Sequence, residues 1–364
     1  MARWIIPPCS SCPQVWPLWA RWCLPSPLTH PRPHRPGPWR MHKMSINLNR
    51  RGLLAGMGAL GFAAAAPAIA APRKPFFAKL NKPIGLQLYT LGDAATKDLD
   101  GTLAKLAAIG YREIELPGFY GMDPKALRAA ADKAGLRYTS MHMTLPARVP
   151  PGSLTLMSSP QEIADALGTL GIHQAVLPMP LLPDNWTPPS NPADMRPALI
   201  AGVEAGGLDM WKRLGGVLNE RAAALKPHGI DLGYHNHNME FKPQGGTTGW
   251  EVLTKELDPK LVFLELDLGW TTAAGHDAAT EIAKLKGRIR MVHLKDVKPT
   301  TKTNYTLQQD PTEVGSGKLD WHRILPACAA SGVTNYFVEQ EPPFASDRFT
   351  AVKKSFDFLS RFVA

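Results

Sequence analysis

The sequence predicts a (β/α)8 barrel, and three observations lead to it. From Pro83 onward, short apolar runs alternate with amphipathic stretches. Most of those runs are apolar along nearly their whole length, as strands covered on both faces are. Polar side chains then gather where the runs end, which is where barrel enzymes build their sites.

The strands are expected at Ile84–Tyr89, Glu113–Leu116, Arg137–Met143, Gln174–Met179, Asp231–His237, Leu261–Asp267, Arg290–Asp296 and Tyr336–Glu341. Helical spacing marks Leu99–Ile109, Lys125–Ala134, Gln161–Leu170 and the long stretch Ala198–Leu225. The first three end at Gly110, Gly135 and Gly171, and Gly229, Gly287 and Gly332 close further helices before the next strand. A doubly wound open sheet is the rival fold. It calls for a Gly-rich phosphate turn after its first strand, and Leu88-Tyr89-Thr90-Leu91-Gly92 is not one. The Pro-rich stretch Pro178–Pro197 reads as a long loop after the fourth strand, over the active face.

The barrel accounts for residues 71–364, and what precedes it differs in composition. The formal net charge is +10, but residues 1–70 hold eight basic residues and no Asp or Glu, which leaves +2 for the remainder. That balance gives no basic face for nucleic acid. Residues 41–70 read as a twin-arginine signal peptide: Arg50-Arg51 precede the weakly apolar run Leu53–Ala66, and Ala68-Ile69-Ala70 offers a cleavage site. The run is too short and too rich in Gly and Ala for a stable membrane anchor. Periplasmic export of a folded protein is the expectation. Residues 1–40, Pro-, Trp- and Arg-rich, read as a non-native or disordered extension upstream of a start at Met41 or Met44. Cys9, Cys12 and Cys23 fall there, so Cys328 alone remains and no internal disulfide forms in the barrel.

The strand ends carry Glu115, His142, the run Tyr234-His235-Asn236-His237-Asn238-Met239-Glu240, Glu265-Leu266-Asp267, His293-Leu294-Lys295-Asp296 and Glu339-Gln340-Glu341. A single strand-end histidine is ordinarily structural. Four successive strands ending in His, Asp or Glu are different, because their side chains converge on one axis and need a cation between them. Such a shell suits one divalent metal ion, Mn2+, Mg2+, Zn2+ or Co2+. Glu113 and Glu265 are expected to face outward among the helices.

The segments Ile84–Thr90, Ile114–Gly121, Gly233–Phe241, Glu265–Trp270, Val292–Asp296 and Val338–Glu341 together resemble the sugar phosphate isomerase/epimerase family of the xylose isomerase-like TIM barrels, over about residues 83–362. The resemblance implies a metal held by His235, Asp267, His293 and Glu339. His237 and Glu240 compete with His235 for the first position, where many relatives have Glu, and Glu341 competes with Glu339. It implies acid/base roles for Glu115, His142 and Glu339, and substrate contacts from His237, Glu240, Lys295, Glu341 and Trp270. Val314-Gly315-Ser316-Gly317 resembles a substrate-side loop of the family.

The implied chemistry is enolisation of a sugar or keto-sugar through an enediolate, by an isomerase or epimerase. The alternative is a lyase that eliminates the aglycone of a 3-keto-glycoside in the periplasm. A non-catalytic carbohydrate-binding protein is the third reading, disfavoured by the intact set of ligands. The expected partner is a small carbohydrate and not nucleic acid, and a homo-oligomer is compatible with everything above.

Overall fold

The computed structural model describes residues 73–146, 152–183 and 186–364. The expected extension and signal peptide lie outside the described residues.

Strong periodicity and capping place the outer helices. Helix α1 is Leu99–Ile109, α2 Pro124–Ala134, α3 Pro160–Leu170, α4 Met195–Leu225, α5 Gly249–Glu256, α6 Ala278–Lys284, α7 Trp321–Ser331 and α8 Arg348–Arg361. Asp123 caps α2 by accepting from the Lys125 and Ala126 amides, with Pro124 at the first turn where no amide is needed. Helix α3 opens on a reciprocal Ser159–Glu162 capping box. The long helix expected from Ala198 is two helices: Gly207, at φ 56° and ψ −158°, interrupts it. Adjacent glycines Gly206 and Gly207 provide no side-chain restraint to hold the helical conformation there.

Among the described residues, eight parallel strands form a closed barrel: β1 Gly85–Gln87, β2 Glu113–Leu116, β3 Arg137–His142, β4 Gln174–Leu177, β5 Asp231–His235, β6 Val262–Asp267, β7 Ile289–Leu294 and β8 Asn335–Val338. Each pairs with its neighbours in the chain, and β8 pairs with β1 to complete the ring. Every expected strand is present. Six of the eight stop one to three residues short of the expected end. There the chain leaves the ladder, and after β5 and β8 it turns His237, Glu339 and Glu341 to the mouth of the barrel.

The core has two parts. A large apolar shell lies between strands and helices, and a small plug of Val176, Phe263, Met291 and Phe337 fills the barrel axis. The plug explains two glycines. A Cβ on Gly85 would lie 2.5 Å from the Phe337 ring, and one on Gly233 2.4 Å from the Phe263 ring. Side chains two residues further along the same strands sit on the same face, one layer higher. Phe263, Met291 and Phe337 therefore place Glu265, His293 and Glu339 directly above the plug.

Candidate metal centre and active site

The upper layer is almost entirely ionisable. Glu115, His235, Glu265, Asp267, His293 and Lys295 are all buried, and His142 and Glu339 are nearly so. Glu265 faces this layer, contrary to the outward orientation expected of it. Residues two apart on a strand share a face, so Glu265 goes with Asp267. Glu113 likewise goes with Glu115: it reaches across β1 to the Asn335 amide of β8, at 3.2 Å.

His235 and His293 each have a carboxylate at one nitrogen and at least one further carboxylate at the other. His235 Nδ1 lies 3.1 Å from Glu265 Oε2, while its Nε2 lies 3.9 Å from Asp267 Oδ2. His293 Nε2 lies 2.6 Å from Glu115 Oε2, while its Nδ1 lies 2.8 Å from Glu339 and 3.7 Å from Asp267. Donor atoms of Asp267, His293 and Glu339 fall within 4.8 Å of one another. Bonds of about 2.0–2.2 Å to a shared ion call for donor separations of this order. Asp267 Oδ2 is buried without a hydrogen bond, and the cation beside it is the Lys295 ammonium, 2.8 Å from both Asp267 and Glu339. Three of the four residues carried over from the family resemblance, Asp267, His293 and Glu339, thus come together, with His235 beside Asp267, and this donor set could hold a divalent cation. A second group, His142, His235, Glu265 and His293, shares His293 with the first.

The electrostatics agree with a site organised around positive charge. Burial opposes the charge on His293, yet Glu265, Glu339 and Glu115 hold its pKa well above the usual imidazole range. Burial opposes Lys295 too, and Asp267, Glu339 and Glu341 more than reverse it. Burial pushes Asp267 upward, but Lys295 brings it below its ordinary value. Burial and neighbouring His293 lower His235, which leaves that ring neutral and available as a ligand.

Glu115 is enclosed. Its carboxylate accepts from Gln87 Nε2 at 2.9 Å and Ser140 Oγ at 2.6 Å, and it meets His293 from beneath. Glu240 is enclosed as well, accepting from the Tyr234 hydroxyl at 2.8 Å and the His237 amide at 3.0 Å. Neither lines the cleft above. That cleft does expose His142, His235, His237, Trp270, Glu339 and Glu341 of the expected site residues. His142 Nε2 rests on Glu265 at 3.0 Å; burial opposes its charge, and Glu115 and Glu265 raise its pKa to about 9. His237 keeps Nδ1 without a hydrogen-bond partner, and burial holds its pKa well below the usual range. Tyr89 from the 3-10 turn Leu88–Leu91, Arg196 from the first turn of α4, and Thr144 and Leu307 from loops also line the cleft. Pro178 and Met179 join them from the Pro-rich loop expected over this face.

The Val314–Gly317 loop has an internal partner. The buried Asp296 carboxylate accepts from the Gly315, Gly317 and Leu319 amides and the Trp321 indole, at 2.9 to 3.2 Å. A Cβ on Gly317 would collide with that carboxylate at 2.0 Å. The glycines serve this close wrapping, and the loop does not line the cleft.

Residues 103–362 match the model of the xylose isomerase-like TIM barrel family. This chain belongs to that family. Within the family, it is 26% identical over 291 residues to an inosose dehydratase of Geobacillus kaustophilus, spanning 75% of this chain and 89% of the relative. It superposes on a sugar phosphate isomerase/epimerase of Parabacteroides distasonis with a TM-score of 0.58 at 23% identity, covering 83% of this chain and 98% of that one. It also superposes on the IOLI protein, solved with a bound zinc atom, with a TM-score of 0.53 at 15% identity, covering 78% of this chain and all of that one. The xylose isomerase-like barrel seen here is therefore the shared fold of sugar-processing enzymes.

Proposed function

We propose that this protein is a divalent-metal-dependent enzyme that enolises a sugar or keto-sugar through an enediolate and acts as an isomerase or epimerase. The observation that carries the reading is the split use of ring nitrogens at His235 and His293. A metal-ligating histidine ordinarily gives its second nitrogen to a carboxylate, which fixes the ring and its tautomer. Here Glu265 and Glu115 take that part, and the other nitrogens turn to Asp267 and Glu339. His235, Asp267, His293 and Glu339 would hold the ion, and Glu115 is a positioning residue.

A divalent ion at this point supplies the charge that lowers the cost of removing a proton beside a carbonyl. The Lys295 ammonium, 2.9 Å from Glu341 and 5.0 Å above the Trp270 ring, adds positive charge where an oxyanion would develop. His142 faces the cleft and is the acid/base candidate uncommitted to the ion. Returning the proton to the opposite face epimerises the substrate, and returning it to the neighbouring carbon isomerises it. The lyase reading has one specific support, the dehydratase named among the relatives. There the β C–O bond breaks, and its oxygen leaves with the electron pair and takes a proton.

Two measurements test this. Asp267→Asn and His293→Ala should each lose stoichiometric metal while the barrel stays folded; full metal content in both would overturn the ligand set. His142→Ala should slow exchange of the substrate's α-proton with D2O by about 10²–10⁴-fold. An unchanged exchange rate removes His142 from the mechanism. We propose also that Arg50-Arg51 direct periplasmic export. Arg50→Lys with Arg51→Lys should retain the precursor in the cytoplasm, and normal periplasmic recovery of that variant excludes a twin-arginine route.

A further inference from the structure

The cleft is lined by two kinds of surface. Its floor is polar, with His142, His235, His237, Glu339 and Glu341. Above it, beside Tyr89, Thr144 and Arg196, one side of the wall is apolar, with Leu145, Leu177, Pro178, Met179 and Leu307. A bare sugar or polyol carries hydroxyls around its whole perimeter, and those turned to such a wall would lose water without gaining partners.

Leu307 shows that the wall is built. Its φ is +55°, a region that bulky side chains avoid. The conformation is imposed from outside the residue. Buried Asn238 accepts from the Leu307 amide at 3.0 Å, and its own amide group donates to Asn304 O and Oδ1, both at 2.9 Å. Asn304 Oδ1 in turn accepts from the Thr306 and Gln308 amides, at 3.1 and 3.2 Å. The loop is thus tied down on both sides of a leucine in a conformation that glycine would adopt freely. What the leucine adds is an apolar side chain in the cleft. Backbone strain held by surrounding bonds is a recurrent feature of ligand contacts.

We infer that the substrate is amphipathic: a keto-sugar ring on the polar floor, bearing an aryl-sized apolar substituent that packs on the wall around Leu307. The inference rests on the enolisation reading for the position of the ring. The substituent occupies the wall whether it is retained, as in epimerisation, or leaves, as in elimination.

The test uses phenyl and methyl 3-keto-β-D-glucopyranoside with the metal-loaded enzyme. Exchange of the proton beside the ketone is followed by NMR in D2O, and binding of each compound by saturation transfer. The phenyl compound should exchange faster than the methyl compound at sub-saturating concentration, by about tenfold or more, the gain expected from burying one ring. Leu307→Gly should reduce that preference by about fivefold with thermal stability held or raised, because glycine relieves the backbone while the wall is lost. A leucine that only supports the fold would instead lower stability and leave the preference intact. Equal exchange of both compounds, unaltered by Leu307→Gly, overturns the apolar wall and leaves the enolisation reading standing. Saturation transfer to the phenyl ring that Leu307→Gly abolishes, with no exchange of either compound, supports the wall and removes the enolisation reading. If neither compound binds or exchanges, the inference is wrong.

Discussion

A carboxylate beneath each imidazole turns a crowd of ionisable side chains into an ordered centre. Glu265 does the most: one oxygen lies 3.0 Å from His142, 3.1 Å from His235 and 3.4 Å from His293. Loss of such an orienting carboxylate typically weakens metal binding by about 10–100-fold. Glu265→Gln keeps the shape and removes the charge, so it should fall in that range and should not abolish binding as Asp267→Asn does. Competitive chelator titration with Zn2+ separates the two. Affinity equal to that of the parent enzyme would make Glu265 a bystander. The metal-ligand candidates were legible as residue types at strand ends. The roles of Glu115 and Glu265 were not, because a strand-end carboxylate reads the same whether it meets a substrate or a histidine. For Glu265 the signal was present and misapplied: a spacing of two from Asp267 fixes a shared face.

At the scale of elements, helices were legible where stop signals and periodicity agree, as in α2 and α3, whose C-terminal ends match the Gly135 and Gly171 signals. Strand ends were less so. An apolar run announces a strand, yet the last one to three residues belong to the site and leave the ladder to reach it. The run His235–Glu240 shows this. The strand stops at His235, and Asn236 then bridges to β6 by accepting from the Asp267 amide at 3.0 Å. Two residues on, Asn238 organises the loop that presents Leu307. One short segment therefore offers a ligand candidate, a brace and a loop anchor in succession. Sequence spacing shows the polar cluster but not which neighbour each member serves, since those partners lie up to 69 residues away in the chain.

For the whole molecule, the barrel was legible because its strands are largely apolar and because β6, β7 and β8 change from an apolar plug residue to a polar one along the inner face. Ring closure adds a constraint at the N-terminal end. Before β1, the short helix Phe76–Leu80 packs on α8, with the Phe76 amide donating to Phe362 O at 2.7 Å. Phe76 and Phe77 are both buried and meet the Tyr336 ring edge-on, at centroid distances of 6.4 and 5.3 Å. Tyr336 lies on β8, the strand that closes the barrel against β1. The helix thus fastens the two ends of the chain across the closing seam, and it lies just after the expected cleavage point at Ala70. A chain starting at Ala71 should keep the full thermal stability and metal content of the parent. A chain starting at Lys82 loses both phenylalanines and should be less stable by about 3–6 kcal/mol, at roughly 1.5–3 kcal/mol for each buried aromatic side chain. Its unfolding in denaturant should show a lower midpoint, while the site above the plug still binds metal in the folded fraction. Equal stability of the two truncations would mean that the seam is held by strand pairing alone and that the helix before β1 is dispensable.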